Sequence, residues 1–299
     1  MLQRIKRVPE RVAIVDDPAT ILRFAIKSLD DGMATALVTL TDVHGGASRG
    51  PGSQMVVRED GGYCGFVSGG CVEAAVAYEA LDVLASGEDK VVRYGKGSPW
   101  FDIVLPCGGG ITLSIHALRS AQPLREIVEY LEQRKSAGLV YDAQRCQLKS
   151  MAENLRPGWE GERFSAVYHP DVRLIIAGAS IEAEITRQLA LAAGYEVSDD
   201  RALMDRHSAL ILLWHDIDRE LPFLQQARLR YPFYTGALGS KRTHQRRKEA
   251  LRELGWSHAE IDRIKAPVGL FPKARDARSL ALSVLADVAA ARQMQEHIQ

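Results

Sequence analysis

The first half of the chain alternates between helical and extended patterns of apolar residues. After Asp16-Asp17-Pro18, apolar side chains recur at three- and four-residue spacing up to Leu29, which predicts a helix that ends at Asp31-Gly32. Two more helices are expected, one that begins near residue 72 and ends at Gly87 and one over residues 124–135. Short apolar and β-branched runs predict strands at 36–41, 54–58, 63–67, 90–94, 103–105 and 111–116.

The second half repeats a strand-then-helix order. Strands are predicted at 173–177, 195–198 and 209–214, and helices at 181–193, 221–229, 243–254 and 279–293. This order indicates a parallel sheet covered by helices. The mixed, turn-rich stretch 139–167 is interpreted as the end of one domain and the connection to the next. We therefore expect an α/β protein with a mixed α+β domain over 1–150, a connecting segment to about 168, and a Rossmann-like, doubly wound domain over 169–299.

Composition and charge narrow the classes of partner. The chain has 299 residues, of which 46% are hydrophobic, so it can bury a large core without disulfides or metals. Its 38 basic and 38 acidic residues give no overall field that would attract nucleic acid or an anionic membrane. Residues 1–10 lack the apolar segment of a signal peptide, and no run approaches the roughly 20 apolar residues of a membrane span. We expect a cytoplasmic protein.

One basic run, residues 241–248, lies in a predicted helix that also carries Glu249 and Glu253. A solvated helix face is the favoured interpretation, and contact with an anionic ligand is the alternative.

Nine glycines lie between Gly45 and Gly70. Glycine loses more conformational entropy on folding than any other residue, so this density is costly without a purpose. Turns such as Gly61-Gly62 account for some of them. Gly45-Gly46 and Gly69-Gly70 flank predicted strands, where bare backbone can present N–H groups to an anion. Tight hairpin turns remain the alternative explanation.

Two of the four cysteines stand beside such glycines. Cys71 follows Gly69-Gly70 and is expected to open a helix whose start is marked by Ser68, so the helix dipole would stabilise its thiolate. Cys107 precedes Gly108-Gly109 at the end of a predicted strand. Two thiolates could converge on one ligand that prefers sulfur donors, whereas lone cysteines more often pack as small apolar residues.

The other two cysteines, Cys64 and Cys146, lack such surroundings and are predicted to be packing residues. No pair has the C-x-x-C spacing of a zinc or redox motif.

The second half contains weaker candidates. The turn after the strand 173–177 keeps the first glycine of a dinucleotide fingerprint, Gly178, but has Ser180 where the second glycine would lie. A structural turn is favoured over nucleotide binding. His215, Asp216 and Asp218 follow a strand and could form an acid/base or metal pair, or an aspartate could cap the next helix.

Several runs resemble one protein family. Residues 45–55 and 65–73 resemble the first domain of the XdhC/CoxI family, and Cys107-Gly108-Gly109 is similar to the second cysteine motif of that domain. Residues 174–179, 234–242 and 267–270 resemble the later, Rossmann-like part. Only seven residues separate Arg201 from Ala209, so that domain looks trimmed. The resemblance implies a cofactor-binding set, with the two cysteines as possible molybdenum ligands: Arg49, Gly69, Gly70, Cys71, Glu73, Cys107, Gly108 and Gly109.

The resemblance also implies a function. Such proteins are accessory chaperones, typically homodimers, that bind the molybdenum cofactor (molybdopterin). They assist its sulfuration with a cysteine desulfurase and hand it to an apo-molybdoenzyme of the xanthine dehydrogenase type. The alternative is an NAD(P)-dependent oxidoreductase that uses the Rossmann-like domain, and the incomplete fingerprint disfavours NAD(P). A scaffold that only bridges two proteins is a third possibility.

Overall fold

The computed structural model describes residues 8–98, 105, 108–152, 155–214, 216–271 and 274–298. The chain divides into two compact units, the N-terminal unit Met1–Pro170 and the C-terminal unit Asp171–Gln299. The first is mixed α+β and the second contains an all-parallel sheet, so the predicted fold class is confirmed. No helix in the described ranges is long and apolar enough to cross a membrane.

A six-stranded sheet forms the centre of the N-terminal unit. Its spatial order is β1-β4-β3-β2-β6-β5; only β1 pairs in parallel. The strands are β1 Glu10–Arg11, β2 Thr35–His44, β3 Gln54–Arg58, β4 Gly62–Gly65, β5 Lys90–Gly95 and β6 Gly110–Ala117. Three helices accompany them, α1 Pro18–Asp30, α2 Glu73–Ser86 and α3 Gln122–Glu132.

Strand alternation divides the apolar residues of this sheet between two cores. Val38 and Met55 face α2, whose Val76 and Ala80 are fully buried against them. The opposite face, which includes Leu37, packs on α1 and α3. The loops at the strand ends are therefore carried by a sheet that is covered on both sides.

The stretch 139–167 forms a second sheet rather than an irregular connection. Its antiparallel order is β8-β7-β10-β9, with β7 Ala137–Asp142, β8 Gln147–Ala152, β9 Gly158–Glu160 and β10 Arg163–Tyr168. Strands β8 and β9 are mostly exposed, so they lack the alternation of apolar and polar residues that would have revealed them.

The C-terminal unit has five parallel strands in the order β12-β11-β13-β14-β15. They are β11 Arg173–Ala177, β12 Glu196–Ser198, β13 Ser208–Leu212, β14 Tyr234–Ala237 and β15 Ile264–Lys265. The helices are α4 Ile181–Ala192, α5 Ile217–Arg230, α6 Lys241–Glu253, α7 His258–Asp262 and α8 Ala277–Ile298. A single 3₁₀ turn, Arg201–Leu203, joins β12 to β13 where a full helix is usual, in agreement with a trimmed domain.

The basic run 241–248 is only partly a solvated helix face. Arg247 is completely buried, and its Nε and Nη2 donate to the two carboxylate oxygens of Glu220 over 2.5 and 2.9 Å. Nη2 also donates to the carbonyl oxygen of Leu238 over 2.9 Å. The expectation of a fully solvated run was therefore wrong at this residue, because a buried carboxylate on α5 compensates the charge.

We expect Glu220→Gln to lower the free energy of unfolding by about 3 kcal/mol, since it leaves the buried Arg247 guanidinium without a counter-charge. Asp218→Asn on the same helix removes an exposed carboxylate and should cost less than about 1 kcal/mol. Urea unfolding of both variants measures the difference. Equal losses would contradict the assignment of a stabilising role to the buried pair.

Candidate functional site

Three glycine-containing segments of the N-terminal unit come together beyond the strand ends. The first glycine loop (residues 45–52) follows β2, the second (residues 66–72) precedes α2, and residues 108–110 lead into β6. A Cβ placed on Gly69 would lie 3.2 Å from the Ser48 hydroxyl oxygen, and one on Gly109 would lie 2.1 Å from the Gly46 carbonyl oxygen. The first loop therefore touches both other segments.

The two glycines of the third segment differ. Gly109 is buried, and any side chain there would collide with the backbone of Gly46 and His44, so close packing explains this residue. Gly108 is exposed, has φ of 69° and faces open space. Only Gly108 of this predicted pair is accessible to a ligand.

Two of the predicted site residues, Cys107 and His215, lie outside the described residues.

Glu73 lies inside the protein and organises the second loop. Its side chain is fully buried; Oε1 accepts hydrogen bonds from the backbone N–H groups of Val67 and Ser68 at 3.1 and 2.7 Å. Oε2 accepts from the Ser68 hydroxyl at 2.7 Å and from the Val72 N–H at 3.2 Å. Both oxygens are occupied by the loop itself, so we assign Glu73 a positioning role rather than direct contact with a cofactor.

Cys71 lies in the exposed part of this loop, residues 69–71, which is called the crest below. Helix α2 begins at Glu73, so Cys71 precedes the helix by two residues instead of opening it. The N-cap is Val72, without a side-chain cap hydrogen bond, so Ser68 does not cap the helix as predicted; its hydroxyl instead accepts a hydrogen bond within the loop from the Cys71 N–H over 3.1 Å. Gly69 and Gly70 are exposed beside the thiol. The loop therefore presents two bare amides and one sulfur to solvent.

The two remaining cysteines have different surroundings. Cys64 is buried in the core, and burial raises the pKa of its thiol to about 12, as expected for a packing residue. Cys146 is half-buried in the turn between β7 and β8, with a left-handed φ of 49°. Cys146 is therefore a turn residue at the edge of the core instead of a fully buried one.

Two arginines flank one aromatic ring beside the crest. The guanidinium of Arg49 lies 5.6 Å from the centre of the Phe66 ring and 3.3 Å from a carboxylate oxygen of Asp16. The guanidinium of Arg11 lies 4.8 Å from the same ring. Arg11 was not among the predicted site residues, because β1 has two residues and no periodic pattern. The position of Arg11 beside these rings follows from the pairing of β1 with β4.

In the dinucleotide-like turn of the C-terminal unit, backbone groups are hydrogen-bonded to side chains of the same unit. The Ser180 hydroxyl accepts from the Ala183 N–H as an N-cap, and Arg187 donates to the Gly178 carbonyl oxygen over 2.5 Å. A side chain at Gly178 would lie 2.9 Å from the Leu213 carbonyl oxygen. These contacts favour the structural interpretation of the turn.

The aspartate that follows β13 has a capping role. Asp216 accepts a hydrogen bond from the Asp218 N–H over 3.1 Å and is the N-cap of α5. The described residues contain no group of three or more His, Cys, Asp or Glu side chains placed to hold a metal ion.

Comparison with known proteins identifies the family. A profile of the XdhC and CoxI family matches residues 28–95, and a profile of the XdhC Rossmann domain matches residues 172–288. The molybdenum cofactor insertion chaperone PaoD of Escherichia coli (strain K12) is 56% identical over 295 residues, which cover 96% of this chain and 93% of PaoD. The chain belongs to the XdhC and CoxI family. The resemblance seen in the sequence is thereby confirmed.

Two further proteins are similar to the chain at lower identity. The uncharacterized protein YqeB of the same organism is 26% identical over 272 residues; these cover 88% of this chain and 44% of YqeB. A crystal structure of a Bacillus halodurans protein described as a xanthine dehydrogenase superposes with a TM-score of 0.70 at 21% identity, covering 93% of this chain and 96% of that one. It shows that the fold is shared.

A buried polar cluster away from the glycine loops joins the two sheets of the N-terminal unit of this XdhC/CoxI chain. An Asp89 carboxylate oxygen lies 2.6 Å from His116 Nδ1 and accepts a hydrogen bond from the Tyr141 hydroxyl over 2.7 Å. Burial alone would raise the pKa of Asp89, but these hydrogen bonds and the N–H of Ala117 outweigh it and lower the pKa. Burial and the nearby Asp89 carboxylate raise the pKa of Tyr141.

Because the folded-state pKa of Asp89 lies below its usual value, its contribution to stability is present above that value. It disappears as the pH falls through the lowered pKa. Asp89→Asn should therefore destabilise the protein at neutral pH and differ less from the parent near pH ~3. Urea unfolding across this range tests it, with exposed Asp82→Asn as the control. A loss that is constant with pH would contradict the prediction.

Glu73→Gln places an NH₂ group where a carboxylate oxygen accepts two N–H groups, so the second loop should open more often. We expect amide hydrogen exchange at Val67, Ser68 and Val72 to accelerate about ten-fold, equivalent to about 1.4 kcal/mol of local stability. Glu79→Gln, half-buried on the same helix, should leave these rates unchanged. Unaltered exchange in Glu73→Gln would remove the positioning role.

Proposed function

We propose that this protein binds the molybdenum cofactor as cargo on the glycine loops of its N-terminal unit and delivers it to an apo-molybdoenzyme. The observation that carries the proposal is the exposed crest of the second loop, where Cys71 stands beside Gly69 and Gly70 on a base fixed by buried Glu73. PaoD, 56% identical, is named as a molybdenum cofactor insertion chaperone.

The donor groups fit the chemistry of this cargo. The cofactor consists of a molybdenum centre, which accepts thiolate ligands, and a pterin that ends in a phosphate. Cys71 offers an exposed sulfur. Backbone amides of the loop and the guanidinium of Arg49 are suited to the phosphate. Of the other predicted contacts, Gly108 is accessible, while Gly109 and Glu73 support the loops.

The finer part of the proposal concerns partners. We propose that the recipient is an enzyme of the xanthine dehydrogenase type, that a cysteine desulfurase supplies sulfur to the carried cofactor, and that the chaperone acts as a cytoplasmic homodimer. The family resemblance supports these statements. Light scattering of the purified chain, alone and mixed with each candidate partner, tests the dimer and the association with each partner.

Cys71→Ala should lower the amount of co-purified molybdopterin about ten-fold or more, because it removes a proposed sulfur ligand from an exposed position without disturbing the core. The pterin is quantified by fluorescence after oxidation, and unfolding midpoints should match the parent. Cys107→Ala is expected to behave in the same way, whereas Cys146→Ala serves as the control.

Normal pterin content in both Cys71→Ala and Cys107→Ala would overturn the assignment of these thiols. Absence of pterin from the parent protein, purified from cells that make the cofactor, would overturn the proposed function itself.

A further inference from the structure

We propose that Arg11, together with the amides of Gly69 and Gly70, forms a subsite for a phosphate monoester. This inference rests on the proposed function and deepens it, because it assigns the anionic end of the cargo to a residue outside the glycine loops. Arg11 would act as a binding residue that fixes the orientation of the ligand while Cys71 faces the metal.

Arg11 is held by aromatic rings instead of by a carboxylate. Its pairing with Tyr63 on β4 places the guanidinium 5.7 Å from the Tyr63 ring and 4.8 Å from the Phe66 ring. Within the described part of the chain the side chain has no hydrogen bond or ion pair, and its Nε is buried without a partner. A partly buried guanidinium over two rings is restrained in position, but its charge is not neutralised.

The guanidinium lies beside the crest of the second loop. A Cβ placed on Gly70 would lie 3.8 Å from Arg11 Nη2, and Gly70 has a φ of 101°, which only glycine adopts readily. Among the described residues, the N–H groups of Gly69 and Gly70 have no hydrogen-bond acceptor. The exposed loop therefore places two backbone N–H donors without acceptors next to the Arg11 guanidinium, which has no counter-charge among the described residues.

The surrounding charges favour an anion at this point. Arg49 adds a second guanidinium over the Phe66 ring, partly balanced by Asp16. The nearby carboxylate of Glu73 is buried beneath the loop, with its charge dispersed over backbone N–H groups and the Ser68 hydroxyl. A phosphate monoester has three terminal oxygens, enough to accept from a guanidinium and two amides at once.

The test uses the oxidised, fluorescent pterin derived from molybdopterin, which lacks the metal, and the same pterin after its phosphate has been removed. The parent chain should bind the phosphorylated form about ten- to a hundred-fold more tightly, as expected for charge-assisted contacts. Arg11→Gln should lose this preference while its affinity for the dephosphorylated form stays the same. Equal affinity of the parent for both forms, or an unchanged preference in Arg11→Gln, would overturn the inference.

Arg58→Gln is the matched control, because Arg58 also stacks on a ring, that of Phe24, but pairs with Asp60. It should keep the full preference for phosphate. If Arg11→Gln fails to fold, competition by inorganic phosphate in the parent replaces it. Competition should weaken binding of the phosphorylated pterin only, and its absence would refute the subsite. Failure of the parent to bind either pterin, with the complete cofactor also unbound, would instead count against the proposed function.

Discussion

The buried carboxylate of Glu73 is the interaction on which the candidate site depends. It stands at the first residue of α2, inside the core, and gathers the N–H groups of Val67, Ser68 and Val72 and the Ser68 hydroxyl around its two oxygens. A buried charge is tolerated only when it is solvated in this way by the protein. Because these groups turn inward, the intervening residues 69–71 are forced outward.

A glycine turn between a strand and a helix occurs in both units, but the two turns differ in whether their backbone groups already have hydrogen-bond partners. In the C-terminal unit, Ser180 caps its own helix and Arg187 occupies the carbonyl oxygens at the end of β11, so the turn is internally satisfied. In the N-terminal unit, no side chain caps α2; Glu73 and Ser68 accept hydrogen bonds from other loop residues, and the N–H groups of Gly69 and Gly70 stay available among the described residues. Availability of donors, more than the presence of glycine, separates a ligand site from a structural turn.

Periodicity predicted most elements because most elements bury one face. Helix α1 and strand β3 have the expected bounds to within a few residues, since Ile21, Leu22 and the β3 side chains pack against the core. The sheet β7–β10 was missed as a whole. Strands β8 and β9 are mostly exposed and β7 and β10 are buried at most positions, so neither pair carries a sustained alternation of apolar and polar residues.

Charge patterns were ambiguous for a related reason. Buried Arg247 and buried Glu73 cannot be told apart from solvated residues by their identity in the sequence. Only their partners distinguish them: Glu220, distant in sequence but in contact with Arg247, and the residues across the turn from Glu73. Arg11 could not be recognised at all, because a two-residue strand carries no pattern and its significance comes from rings at positions 63 and 66.

The two proposed ligand contacts follow from this architecture with different dependencies. The thiol of Cys71 and the amides of Gly69 and Gly70 belong to one short loop, so their geometry depends on Glu73. Arg11 is fixed independently, through β1 and the rings of Tyr63 and Phe66. A ligand that spanned the proposed sulfur and cation contacts would therefore be held between a loop and a separate strand, and its orientation would require that both retain their positions. Such a division would let the protein recognise the two ends of the proposed cargo by different chemistry, soft sulfur for the metal and a guanidinium without a counter-charge for the phosphate.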